Sequence, residues 1–122
     1  MSVKAQTKQN PFQVGENGFK TMADGVAYRV FGASDWEDIP TARGATHGQT
    51  FQITNTHESL TVYGMLVGAT DTSDPGLDDT NFEFRIPPLE RVPIFAPIGF
   101  DLALTNVSST EVTVIVREEA EN

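Results

Sequence analysis

From Gly25 onward, apolar residues recur at every second position. The runs are Val26–Phe31, Phe51–Thr54, Leu60–Val67, Phe82–Ile86, Val92–Phe95, Phe100–Thr105 and Val112–Arg117; in nearly all of them one alternate set is apolar and the other largely polar. A strand turns successive side chains to opposite faces, so the pattern predicts strands buried on one face. Val26, Tyr28 and Val30 are expected to share a face, as are Leu102 with Leu104, and Val112 with Val114 and Val116. No window of a dozen residues carries a helical apolar stripe free of Gly or Pro, which limits helix to a turn near Ser34–Asp38 with Ser34 as its cap. Seven Pro and ten Gly fall mainly between the runs, as turns require. The predicted fold is all-β: an antiparallel β-sandwich or small flattened barrel.

An internal echo strengthens this reading. Phe51-Gln52-Ile53-Thr54-Asn55, a short polar turn and Leu60-Thr61-Val62 resemble Leu102-Ala103-Leu104-Thr105-Asn106, a turn one residue longer and Val112-Thr113-Val114. Each unit is a strand ending in Thr-Asn, a turn in which Asn can bond nearby backbone, and a returning strand. Two hairpins of one design are expected, and shared geometry explains the likeness as well as duplication does.

The first stretch differs. Phe12, Val14, Phe19 and Met22 are spaced irregularly among Gln, Asn, Lys and Gly. All three lysines of the chain, Lys4, Lys8 and Lys20, lie here, with Glu16 the only acid before Asp24. Residues 1–24 read as an extended N-terminal arm, with a disordered tail as the alternative for such a terminus. Residues 25–119 read as the β-sandwich domain and 120–122 as a C-terminal tail. No apolar stretch follows Lys4 and Lys8, so the start of the chain does not read as a secretory signal.

The 122 residues suffice for one core and not two. There is no cysteine, which excludes disulfides, thiolate metal sites and thiol chemistry. A formal net charge of −9 opposes binding to phosphate backbones, so no nucleic-acid partner is expected. The strongly apolar, uncharged stretch Ile94–Phe100 contains Pro97 and falls far short of a bilayer-spanning helix; no membrane partner is expected.

Candidate chemistry is sparse. His47 lies in a Gly-rich loop and His57 in the first Thr-Asn turn, neither beside an obvious nucleophile. No Gly-x-Ser-x-Gly elbow, Gly-x-Gly-x-x-Gly or phosphate loop is present. The acid-rich Asp71–Asp79 segment could offer oxygens to Ca²⁺, but its spacing departs from the EF-hand and it reads as a solvated acidic turn. The expectation is a protein without catalytic residues, metal or cofactor.

Two features point to contacts with other molecules. Trp36, flanked by Asp35, Glu37 and Asp38, is either a lid on the core or an exposed aromatic contact. The segment from Ile86 to Phe100 is strongly apolar yet carries Pro87, Pro88, Pro93 and Pro97. Prolines cannot donate to a ladder, so the segment is expected at a sheet edge or outside the sheets. There it either packs on the sandwich or forms a rigid docking surface that includes Phe95. The expected partner-binding residues are therefore Lys4, Lys8, Phe12, Phe19, Lys20, Trp36, Pro87, Pro88, Pro93, Phe95 and Pro97.

A polar arm, an all-β body and the ordered motifs Phe51-Gln52-Ile53-Thr54-Asn55, Leu60-Thr61-Val62, Ile86-Pro87-Pro88, Leu104-Thr105-Asn106 and Val112-Thr113-Val114-Ile115-Val116 together resemble the small cysteine-free β-domains that decorate or cement the capsids of tailed bacteriophages. The resemblance implies a virion structural protein, made in the host cytoplasm. It further implies a homo-oligomer, most often a trimer, bound to the shell of major capsid protein and stabilising it without catalysis. Other readings of the same residues are another virion part, such as a tail or fibre module, and a carbohydrate-binding β-sandwich. The latter would use Tyr28, Trp36 and Tyr63 as stacking platforms, with the acidic loop holding Ca²⁺.

Overall fold

The computed structural model describes residues 17–22, 25–33, 35–39, 41–43 and 48–119. These form nine strands and no helix: β1 (Asn17–Met22), β2 (Ala27–Gly32), β3 (Asp35–Asp38), β4 (Gln49–Asn55), β5 (Val62–Gly68), β6 (Phe84–Ile86), β7 (Arg91–Ala96), β8 (Phe100–Thr105) and β9 (Val112–Glu119). A four-stranded sheet has the order β1-β9-β4-β7 and a five-stranded sheet the order β3-β2-β8-β5-β6. Every pairing is antiparallel. The protein is an all-β sandwich.

The alternation places the core. From the four-stranded sheet, Met22, Phe51, Ile53, Ile94, Val112, Val114 and Val116 point inward; from the other come Val30, Val62, Ile86, Leu102 and Leu104, all buried. Burying such side chains contributes about 1.5–3 kcal/mol each, which makes this layer the principal source of stability. Tyr28 shares the inward face of Val30 as expected, whereas Val26 precedes β2 and is exposed.

Three expectations are corrected. Residues 17–22, assigned to the arm, form a strand: Met22 is fully buried opposite Val112 and completes the core. Their apolar periodicity is hidden because Gly18 and Lys20 occupy the other inward positions, opposite Val116 and Val114. The segment near Ser34–Asp38 is not a helical turn but the edge strand β3, whose Trp36 sits opposite Val30; Ser34 itself lies outside the described residues.

The echoed Thr-Asn units are not hairpins. β4 and β5 belong to different sheets, as do β8 and β9, so each unit is an arch between layers. Asn55 and Asn106 are both buried and act alike. The amide of Asn55 donates to the carbonyls of Leu60 and Ile86, and its oxygen accepts the His57 N–H. The amide of Asn106 donates to Thr110 and Met22, and its oxygen accepts the Ser108 N–H. Each Asn satisfies backbone groups stranded where the chain leaves one sheet for the other.

A sandwich ordinarily leaves its outer faces to solvent. Here the outer face of the five-stranded sheet carries a second apolar cluster, Ile39, Met65, Val67, Leu77 and Ala103, with Ala27, Tyr63 and Phe82 packed against it. Leu77 and Phe82 come from the long connection between β5 and β6, which lies over the sheet as a flap.

Candidate interaction surfaces

The flap contains the acid-rich segment, and three of its carboxylates, those of Asp71, Asp74 and Asp78, accept turn hydrogen bonds. Asp71 Oδ1 accepts from the N–H and hydroxyl of Ser73, Asp74 Oδ1 from the Gly76 N–H, and Asp78 Oδ1 from Thr80 N–H, Thr80 hydroxyl and Asn81 N–H. These bonds favour the ionised form: the Ser73 hydroxyl and N–H hold Asp71 below the ordinary carboxylate range, and the Thr80 N–H and hydroxyl do so for Asp78. Between the flap and the start of β2 is a cleft of about 480 Å³ lined by Val26, Ile39, Leu77 and the acids Asp38, Asp74 and Asp78. Among the described residues no group of three or more His, Asp or Glu is placed to hold a metal ion.

The flap is fastened from beneath by Arg29, a fully buried residue. Its Nη1 donates to Asp101 Oδ2 at 2.9 Å and to the Gly68 carbonyl at 3.1 Å. Its Nε donates to the Ile39 carbonyl at 2.6 Å, and Nη2 to the carbonyl of Asp71. Burial pushes the Asp101 carboxyl up despite the opposing pull of Arg29. Both residues are buried, and the pair holds the flap to the sheet. The periodic pattern gave no sign of this role, because an Arg at an alternate polar position reads as solvent-facing.

His57 is also a turn element. Its Nδ1 accepts the N–H groups of Ser59 and Leu60 at 3.0 and 3.1 Å. His47 lies outside the described residues.

The proposed stacking residues do not converge. Tyr28 and Trp36 pack edge to face, with ring centroids 6.4 Å apart, against the main core. Tyr63 packs on Phe82, with centroids 4.9 Å apart, on the opposite face of the same sheet. Trp36 is a half-buried lid whose indole N–H donates to the Ala33 carbonyl. No single platform for a sugar ring arises from these three side chains.

The expected partner-binding residues separate into groups. Lys4, Lys8 and Phe12 lie outside the described residues. Lys20 is turned inward at the sheet edge, its ammonium 4.2 Å from the Tyr28 ring centroid. Phe19 is 71% exposed on the outer face of the four-stranded sheet. The Pro-rich segment lies at an edge, as predicted: β7 is the last strand of its sheet, with Pro93 within it opposite Gln52. Pro93 is exposed, while Pro87, Pro88 and Pro97 are half-buried in the flanking turns.

Ile94 and Ala96 of β7 point into the core, but other apolar side chains along this border are exposed. Leu89 is 65% exposed, Phe95 55%, Ile98 67% and Phe100 44%. They account for most of the exposed large hydrophobic side chains among the described residues, one on β7, two in its flanking turns and one at the start of β8. Scattered apolar residues are ordinary on a surface; here Phe95, Ile98 and Phe100 lie within six residues of one another, with Leu89 at the opposite end of β7, and such a grouping marks an interaction site. Leu89 also has φ of 61°, the left-handed region that an L residue occupies at a cost.

Compared with protein families, curated proteins and solved structures, the chain matches none.

Proposed function

We propose that this chain is a non-catalytic virion structural protein that decorates and stabilises the shell of a tailed bacteriophage, docking through the β7 border as a homo-oligomer. The observation that carries the docking element is the exposure of Phe95 on the proline-containing edge strand β7, of Leu89 and Ile98 in the turns flanking it and of Phe100 at the start of β8. Pro93 removes a ladder donor from this edge, so a partner meets it through side chains and not by adding a strand. The shell as partner rests on the resemblance of the strand and turn motifs to capsid decoration domains. The arrangement supports a binding role because, among the described residues, Arg29, Asp101, His57, Asn55, Asn106 and the flap carboxylates hold turns and layers together.

The arm belongs to the same proposal. Lys4 and Lys8 would place positive charge on a partner surface, while aromatic contacts would supply most of the affinity. Burying a Phe contributes roughly 1.5–3 kcal/mol, against about 0–1 kcal/mol for an exposed ion pair. The test is to purify particles from the lysate in which the chain is made and probe them for it, alongside the double variant Phe95→Ser/Ile98→Ser. The wild-type chain is expected to sediment with full-size particles and the double variant to remain soluble. A wild-type chain that never sediments with particles would refute the reading.

A further inference from the structure

Gly48, the residue before β4, is a glycine that its own backbone does not require. The described glycines in the left-handed region are Gly25, Gly76 and Gly99; Gly48 is not among them, and glycine beside a strand costs conformational entropy that other residues do not. Space is the reason for it. A Cβ at position 48 would lie 2.8 Å from Cζ and 3.0 Å from Cε1 of Phe95, closer than non-bonded carbons pack. The register explains the meeting. Phe95 stands opposite Thr50 on the outer face of the four-stranded sheet, and position 48 is the diagonal neighbour on that face, within reach of an aromatic ring. Among the described residues β7 pairs only with β4, so cross-strand support for the ring comes from the β4 side alone.

We infer that Gly48 is the positioning residue of the docking surface: its bare backbone is a seat that holds the Phe95 ring in one pose and presents it to the partner. The inference rests on the docking role proposed for the β7 border, and it names Phe95 as the anchor of that border. Leu89 and Ile98 lie in turns and Phe100 starts β8, whereas Phe95 stands on the edge strand itself. It keeps 55% of its surface exposed while the tip of its ring is braced by the chain. A side chain ordered before the partner arrives does not lose that freedom on binding, and rigid aromatic residues of this kind carry a large share of interface affinity. The atoms that a Cβ at position 48 would meet are at the far end of an exposed side chain. A methyl group there therefore moves the ring and leaves the strands in place, so position 48 acts on binding through Phe95 and not through the fold.

The test uses the full chain in two measurements. In NMR spectra of the free wild-type chain, the Gly48 α-protons are expected to show Overhauser contacts to the Phe95 ring protons; their absence would overturn the seat whatever the chain binds. The purified chain is then titrated onto particles recovered from cells making the Phe95→Ser/Ile98→Ser variant, and binding is read by sedimentation. Gly48→Ala should bind about two- to tenfold more weakly than the wild type, with a urea midpoint equal or higher because alanine costs less conformational entropy than glycine. In a Phe95→Leu background, which lacks the ring, Gly48→Ala should have no further effect. Unchanged binding of Gly48→Ala, an equal loss with and without the ring, or a loss that comes with a lowered urea midpoint would overturn the inference and leave the docking reading standing. A wild-type chain that does not bind these particles would refute the docking reading, and the inference with it.

Discussion

Arg29 and Asp101 meet at 2.9 Å on the outer face of the five-stranded sheet, both buried beneath a loop. An ion pair taken out of water costs desolvation on both partners, and it persists where its remaining donors and acceptors are satisfied. Arg29 meets that condition by binding the carbonyls of Ile39, Gly68 and Asp71. A single guanidinium thus joins β2, β8, the turn after β3 and the root of the flap, turning a face that would be wet into a second core.

Removing the guanidinium should therefore loosen a region and not merely a contact. Arg29→Met leaves the Asp101 carboxylate buried without a partner and is expected to cost about 3–5 kcal/mol in urea denaturation. Arg29→Lys should recover little of this, because one ammonium cannot reproduce the planar fork. Limited proteolysis of the folded Arg29→Met protein should cut first within residues 69–83.

Acid stability follows from the flap turns. Asp71 and Asp78 titrate below their ordinary 3.8 because of bonds from Ser73 and Thr80. Their contribution is present above the unfolded-state pKa and is lost as pH falls through the lower folded values. Asp101, raised by burial, acts in the opposite sense: its contribution is full below 3.8 and fades as pH rises through its folded value. The double variant Asp71→Asn/Asp78→Asn keeps an amide oxygen to accept the turn bonds but does not ionise. Its urea midpoint is expected to fall less steeply than that of the wild type on acidification below about pH 4.

Leu89 sets stability against binding. Its left-handed backbone costs an L residue about 1–2 kcal/mol, and its side chain is largely exposed in the isolated chain. Leu89→Gly should raise stability by about 1 kcal/mol and lower the amount of chain recovered on particles. A destabilised variant would show that Leu89 packs better than its exposure indicates.

The acidic flap should need no cation. Chelation is expected to leave the melting temperature unchanged, and Asp74→Ala should act only by loosening the turn that its carboxylate holds with Gly76. A melting temperature several degrees lower after chelation would restore the calcium reading of the loop.

Strands whose alternation serves one buried face, such as Leu102 with Leu104 and Val112 with Val116, were legible in the sequence, and the prolines placed β7 at an edge. β1 was not legible, because Gly18 and Lys20 take inward positions that an apolar count passes over. The second core was hidden for a related reason. Arg29 and Asp101 occupy positions that alternation assigns to solvent, and only the flap folding back over them reveals that they are buried. The Thr-Asn echo was visible as a motif, but local spacing does not distinguish a turn within one sheet from an arch between two. That difference lies in the distant carbonyls, Ile86 for Asn55 and Met22 for Asn106. Of the interaction surface, the Pro-rich segment was legible as a unit, whereas the exposure of Leu89 and Ile98 depends on how the turns flanking β7 fold, and that of Phe100 on its place at the start of β8.

The most direct test of the central claim is cryo-microscopy of the particles produced in cells that make this chain, with and without an intact β7 border. The account predicts density for the sandwich at regular positions on the outer shell, with Phe95 and Ile98 against the shell protein, and loss of that density in the Phe95→Ser/Ile98→Ser variant. Particles whose shells lack the sandwich, or that carry it undiminished in the variant, would contradict it.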